Sequence, residues 1–456
     1  MKSGNKSIVA VVNFAYSPVV FIVLLFCVII KFVILYNDDL LAVSFIYFVE
    51  LIFASTVIIF FIGNAMDHVR IKKRGHSSPR KHGQSSEGNP KQLIDRYLQR
   101  SDVRIKRDRP EVILYAAGPV GVGYQTNMWL PVLERLGVSV GIVIRDLHIY
   151  GELKSTGLPI YYFRTLRDLE CMEEVGVKTL LYPGNSMKNA QSFRLLRLNH
   201  FFINHGESDK VVNQSKFLRA YDKLLVAGEF AEKRLKDAGL RFHDDQIVHV
   251  GRPQVELSLE RIEVPRESIA TILYAPTWEG FAEEANYSSV NSFGYQMLQE
   301  LISSGRYTIL YKPHPFTGHN KDSAAAVYKV KFQELAESSE FVTFFGSDTD
   351  IHSLMNMSDL MITDVSSVLN DYLYSRKPMI LTNPHCQSRD EFYSTFLTSR
   401  AAYLLDPADD VVCKVKEIEN NDDLWEQREE ICVQSLGDFP EGSLARFNRV
   451  VCDSVQ

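Results

Sequence analysis

Two long uncharged runs open the chain, and short apolar runs set between helix-length segments fill the remainder. Residues 7–30 carry no charged side chain, and residues 40–65 carry only Glu50. At 1.5 Å of rise per residue, either run is long enough to cross a hydrocarbon core of about 30 Å. The connection between them holds Asn37, Asp38 and Asp39, so the pair predicts a two-helix transmembrane hairpin over residues 1–66. A cleaved secretory signal would have an apolar region of only about 7 to 15 residues ending at a small-residue site, which neither run has. Lys2 and Lys6 precede the first run, and Arg70, Lys72, Lys73, Arg74, Arg80 and Lys81 follow the second. By the positive-inside rule both ends are cytoplasmic, which places the protein at the cell membrane with everything after the hairpin on the cytoplasmic side. Glu50 reads as a helix-packing or protonated group rather than a site.

Residues 67–109 predict a basic flexible linker, since their first two thirds lack an apolar period and are rich in Gly, Ser, Pro and cations. From residue 111 the pattern becomes that of buried strands alternating with helices. Continuous apolar runs at 112–117, 139–144, 159–163, 179–183, 200–204 and 223–227 make one series. After Pro265 a second begins, at 271–276, 307–313, 341–345, 360–364 and 378–382. Uninterrupted apolar strands joined by helices mean parallel sheets covered on both faces. The expected fold is therefore α/β, with two Rossmann-like, doubly wound domains at 110–262 and 263–410. A charged helical segment at 411–456 either packs back across the cleft or forms an exposed tail. Ligands of such sheets sit beyond the carboxyl ends of the strands, which is where chemistry is to be sought.

Composition narrows the function more than the fold. The 456 residues are 46% hydrophobic and 11% aromatic, with 50 Lys and Arg against 56 Asp and Glu, a net charge of −6. Such a chain is not disordered, not collagen-like and not a basic nucleic-acid binder. Its six cysteines are far apart in sequence, with no C-x-x-C pair, so neither a disulfide framework nor a structural metal site is expected. No cofactor is firmly implied, a divalent cation is left open, and Asp348-Thr349-Asp350 reads as a helix cap rather than a metal motif.

Six short motifs fall at strand ends or at the joint between the halves. A glycine turn, Gly118, Gly121 and Gly123, follows the first run, without the G-x-G-x-x-G spacing of a dinucleotide site. His205-Gly206 follows the fifth run, where an imidazole can take a proton from an attacking hydroxyl or merely cap a turn, with Glu207 or Asp209 to orient it. Lys312-Pro313-His314-Pro315 displays a cation and a histidine on a proline-braced backbone, suited to a pyrophosphate leaving group. Ser366 and Ser367 open the helix after Thr363-Asp364, where unpaired amides and small hydroxyls favour phosphate or serve as an ordinary cap. Gly251-Arg252-Pro253 and Tyr274-Ala275-Pro276-Thr277-Trp278 flank the joint between halves, as a nucleotide pocket or as hinge packing.

In order, H-G, G-R-P, Y-A-P-T-W, K-P-H-P and T-D-x-S-S-x-x-x-D-Y resemble the CDP-glycerol glycerophosphotransferase family, which primes or polymerises teichoic acids, over residues 110–410. The resemblance implies a GT-B architecture, two Rossmann-like domains facing a cleft, and transfer of a polyol phosphate from a CDP-activated donor to a hydroxyl of a lipid-linked acceptor, releasing CMP. It makes His205 the base and has His314 stabilise the donor phosphates, with the reverse assignment open. It gives Gly206, Arg252, Thr277, Trp278, Lys312, Ser366, Ser367 and Asp371 to substrate binding. The partners it implies are the donor, the acceptor and the membrane, with no nucleic acid and an undetermined oligomeric state. Glu207-Ser208-Asp209 stands where the polymerases often have Thr-Pro, and Val365 where an aromatic is common, so glycerol, ribitol and sugar phosphate all remain open. A GT-B glycosyltransferase using a nucleotide sugar is the alternative.

Overall fold

The computed structural model describes residues 97–208, 215–266, 268–280 and 286–456. The predicted hairpin and most of the predicted linker lie outside the described residues. Among the described residues no helix is long and apolar enough to cross a membrane.

Two parallel sheets carry the fold. The first contains β1 (Val112–Ala116), β2 (Val140–Ile144), β3 (Ile160–Tyr162), β4 (Thr179–Tyr182), β5 (Asn199–Phe202), β6 (Lys223–Val226) and β7 (Ile247–His249), in the order β3-β2-β1-β4-β5-β6-β7. The second contains β8 (Thr271–Ala275), β9 (Thr308–Tyr311), β10 (Val342–Phe344), β11 (Leu360–Thr363), β12 (Met379–Thr382) and β13 (Tyr403–Leu405), in the order β10-β9-β8-β11-β12-β13. Each sheet reverses direction of travel beside its first strand, so each has a switch point there, between β1 and β4 and between β8 and β11.

Alternate residues of each strand enter opposite cores, as the two-residue strand period requires. Ile113, Tyr115, Leu180 and Tyr182 pack on one face of the first sheet, and Val112, Leu114, Ala116 and Leu181 on the other. In the second sheet Tyr274, Tyr311 and Ile362 face one core and Leu273, Leu310 and Met361 the other. This last core is shared, because Ala227, Phe230, Val255 and Leu259 of the first half join it.

One expectation is corrected, and one open alternative is decided. The linker predicted over 67–109 includes a packed helix, Ser101–Asp108, whose Ile105 is fully buried and whose Arg104 donates to the Ile160 carbonyl at 2.6 Å. A helix that buries few apolar side chains among so many charges has no clear periodic signature. The C-terminal segment is not an exposed tail. Its helix Ser443–Asp453 lies on the first half, with the Phe447 ring 4.9 Å from Trp129 and tilted by 32°, and the Ser454 hydroxyl 2.7 Å from that of Thr179.

Candidate active site

The carboxyl ends of both sheets face one cleft of about 1520 Å³. His205, Gly206, Thr277, Trp278, Lys312, His314, Ser366, Ser367 and Asp371 line it, whereas Arg252 lies behind them.

His205 is presented by a turn just past β5. Asn204 adopts φ +52°, a conformation asparagine tolerates, and its side chain both accepts from the His205 amide at 2.9 Å and donates to the Gly206 carbonyl at 2.7 Å. The ring's Nδ1 lies 2.9 Å from the Pro183 carbonyl, at the end of the neighbouring strand. A carbonyl only accepts, so Nδ1 carries the hydrogen and Nε2 keeps its lone pair. Burial pushes the imidazolium down to about 4, helped by the Arg252 guanidinium and opposed by the Pro183 carbonyl and Asp371. The ring is therefore neutral near pH 7. Gly206 has a steric reason to be glycine: a Cβ there would lie 2.7 Å from Cβ of Ser367, across the cleft floor.

His314 has the opposite polarity. Phe316 donates its amide hydrogen to His314 Nδ1 at 3.1 Å, so the hydrogen of this ring is on Nε2. Trp278 stacks on it at 5.9 Å with an interplanar angle of 19°. The loop is held from below by Glu279, 4% exposed, whose carboxylate accepts from the amides of Gly318 and Asn320, each at 3.0 Å. Lys312 donates to the Gly346 carbonyl at 2.7 Å, and burial lowers its ammonium below the ordinary range against the pull of Asp348 and Asp350.

Asp364 joins two of the motifs. It is fully buried and accepts from the amides of Thr277 at 2.8 Å and Ser289 at 3.1 Å and from the Thr382 hydroxyl. Burial raises its carboxyl above the ordinary value despite those bonds. Its position fixes the loop after β8 against the end of β11. Ser366 and Ser367 open the helix Ser367–Leu373, with the Ser366 hydroxyl 3.4 Å from that of Thr363.

Arg252 and Asp371, both expected on substrate, are found on each other. The guanidinium meets the carboxylate through Nε at 3.1 Å and a terminal nitrogen at 2.9 Å, with both side chains at most 4% exposed. Another Arg252 bond, of 3.1 Å, reaches the His205 carbonyl, and His352 approaches Asp371 at 3.5 Å. A cation this committed ties the halves together and fixes the backbone of His205. Glu207 likewise does not orient the imidazole, because it pairs with Arg234 at 3.0 Å and leaves that role to Pro183. Asp209 lies outside the described residues. Asp350 caps the helix Ile351–Met357 by accepting from the Ser353 amide at 3.1 Å, as expected. Among the described residues no group of three or more His, Cys, Asp or Glu side chains is placed to hold a metal ion.

A family model for CDP-glycerol:poly(glycerophosphate) glycerophosphotransferase matches residues 199–447, more than half the chain. The chain belongs to this family. Among relatives, the teichoic acid poly(ribitol-phosphate) polymerase of Bacillus spizizenii is 25% identical over 274 residues, 56% of this chain and 41% of that protein. The teichoic acid poly(glycerol phosphate) polymerase of Bacillus subtilis is 25% identical over 268 residues, 57% and 31% of the two chains. The chain thus spans less than half of either polymerase. The teichoic acid glycerol-phosphate transferase of Staphylococcus aureus is 20% identical over 309 residues, 66% of this chain and 71% of that one. The wall teichoic acid polymerase TagF shares the fold, with a TM-score of 0.50 at 13% identity over 81% of this chain and 98% of that one. This chain therefore has the mixed α/β architecture with parallel sheets found in that structure.

Proposed function

We propose that the protein transfers glycerol phosphate, or a related polyol phosphate, from a CDP-activated donor to a hydroxyl of a lipid-linked cell-wall glycopolymer acceptor, at the cytoplasmic face of the membrane. The observation that carries this reading is the opposite tautomers of the two cleft histidines. His205 offers a lone pair at Nε2, and His314 carries a hydrogen at Nε2.

The acceptor hydroxyl gives its proton to His205 Nε2 as its oxygen attacks the phosphorus that bears the polyol. The bond from that phosphorus to the bridging oxygen breaks, and CMP leaves with the bridging oxygen and the electron pair. His314, with Lys312 near it, faces the charge that develops on the departing side. Donors fixed in place before the reaction stabilise such charge without reorganisation. Ser366 and Ser367 at the opening of their helix suit the pyrophosphate, and Trp278 with Thr277 suits the nucleotide side. The family membership and the named activities of its relatives support the same class.

The experiment is incubation of the full-length, detergent-solubilised protein with CDP-glycerol and a lipid-linked disaccharide acceptor. Acceptor-dependent CMP release together with a glycerol-phosphate mass increment on the acceptor is the expected result. Turnover with CDP-ribitol alone would move the polyol. Release of a nucleotide from a nucleotide sugar, with no new phosphodiester, would replace the reading by glycosyl transfer.

A further inference from the structure

The family match begins at residue 199, so the glycine turn and the short helix behind it, Gly123–Asn127, stand ahead of it. Tyr124 of that helix stands between the two histidines. Its ring meets His205 edge-on at 5.5 Å and 87°, and His314 at 6.3 Å and 84°. Its hydroxyl is 3.5 Å from His205 Nε2, the atom left with a lone pair by the Pro183 bond. Toward that lone pair the phenol can act only as a donor, and burial keeps it protonated by raising it above its ordinary value.

The residue is held from both halves. The Glu152 carboxylate accepts from the Gly121 and Gly123 amides at 2.8 and 2.7 Å, and the Asn127 side chain donates to the Glu152 carbonyl at 2.8 Å. Gly121 has φ +94°, and a Cβ on it would come within 2.8 Å of Phe316 in the loop that carries His314. The amides of this turn are thus occupied by a carboxylate, and what the turn delivers to the cleft is the tyrosine.

An alcohol that gives its proton to Nε2 must come within about 2.6 to 3.2 Å of it, beside the place where the phenol now stands. Resting on the reading of His205 as the base, we propose that Tyr124 is a positioning residue that holds the acceptor hydroxyl in register with His205. The phenol donates to one lone pair of the acceptor oxygen, the other lone pair is left for phosphorus, and the acceptor's proton is directed to Nε2. Its ring also keeps the two imidazoles apart, so that acceptor and donor phosphate enter from opposite sides.

The test is Tyr124→Phe in the full-length protein, which keeps the ring and removes the donor. Expected is a loss of about tenfold in kcat/KM for the acceptor, the size of one lost hydrogen bond, with the donor KM unchanged. The acid limb of the profile should move to higher pH, because the lost bond favoured the unprotonated ring, while the other charges facing it, Arg252 and Asp371, are unaltered. The ¹⁵N shift of His205 Nε2 in substrate-free protein at pH 7.5 should change while that of Nδ1 holds. Wild-type acceptor kinetics and an unmoved acid limb in Tyr124→Phe would overturn the proposal. So would a wild-type Nε2 shift typical of an unbonded lone pair, which needs no variant. Turnover of no CDP-polyol would overturn the transfer reading and this proposal with it, and the ring shifts, recorded without substrate, distinguish the two failures.

Discussion

The two halves repeat one strand order yet hold their histidines in opposite ways. In the first, a neighbouring strand end supplies a carbonyl to Nδ1 of His205, and an asparagine at positive φ turns the ring into the cleft. In the second, prolines stiffen the chain around His314 and a backbone amide two residues on donates to its Nδ1. A carbonyl against one ring and an amide against the other reverse the tautomer. One architecture thus yields a proton acceptor on one wall and a proton donor on the other, and which backbone group meets Nδ1 decides between them.

The strongest way to break this contrast is to exchange chemistry at each ring. His205→Ala should lower the transfer rate by about 10² to 10⁴, as loss of a general base does. His205→Gln should recover none of it, since an amide can accept a hydrogen bond through its oxygen but is too weak a base to take the proton. His314→Ala should cost about 10² to 10³, and there His314→Gln should recover part of the rate by restoring an N–H. Single-turnover CMP release measures all four. Equal recovery by glutamine at both positions would mean that the tautomers do not set the roles.

A second difference is what anchors each histidine's backbone. Arg252 spans the halves, holding Asp371 in one and the His205 carbonyl in the other. Arg252→Ala leaves a buried carboxylate without its principal partner and should lower unfolding stability by about 3 kcal/mol, read by urea denaturation. Burial alone would raise the Asp371 carboxyl, but Arg252 and His352 outweigh it and hold the carboxyl below its ordinary value. The stability this contributes is present above the unfolded-state pKa and is lost as pH falls through the folded one. The wild type should therefore lose stability below about pH 4, the unperturbed range of an aspartate, more steeply than Arg252→Ala.

Acid also separates the two rings kinetically. As the base of the proposed transfer His205 must be unprotonated, and its imidazolium is pushed down to about 4 in the free protein. The kcat/KM profile should stay flat from neutrality to near pH 5 and then fall tenfold per unit below 4. With donor bound, phosphate charge nearby favours the imidazolium, so the limb in kcat should lie at higher pH than the limb in kcat/KM. Coincident limbs would mean that the donor's charge does not reach this ring.

The sheets were legible because parallel strands covered on both faces are continuous apolar runs, and eleven of the thirteen strands carry one. The two left out, β7 and β13, are three-residue edge strands, as are β3 and β10, so length alone does not set them apart; β7 is only half-buried along its length, which weakens its apolar run. The cleft was legible through its strand-end motifs, which the switch points bring together. Partners were not. Tyr124 and His205 are 81 residues apart, and Arg252 and Asp371 119, so nothing local says that the tyrosine meets the base or that the arginine is already taken. Arg252 reads as a cation at the joint, but its pairing with Asp371 is not legible, because a motif shows the charge and not what neutralises it.

The smallest expected effect concerns a device both halves share. Glu152 accepts two amides of the turn that carries Tyr124, and Glu279 accepts two amides of the loop that carries His314. Glutamine keeps the shape of either side chain but turns one acceptor oxygen into an NH₂, which then faces a backbone N–H. Where that group is buried the orphaned donor should cost about 1 to 3 kcal/mol, and where water can reach it, less. Glu279 is 4% exposed and Glu152 only half-buried, so Glu279→Gln should be the more destabilising in urea. Their kinetic signatures should divide by substrate. Glu279→Gln loosens the donor wall and should raise the donor KM, whereas Glu152→Gln loosens the tyrosine and should raise the acceptor KM with little change in stability. If both variants disturbed the same substrate, the two walls of the cleft would not be serving separate partners.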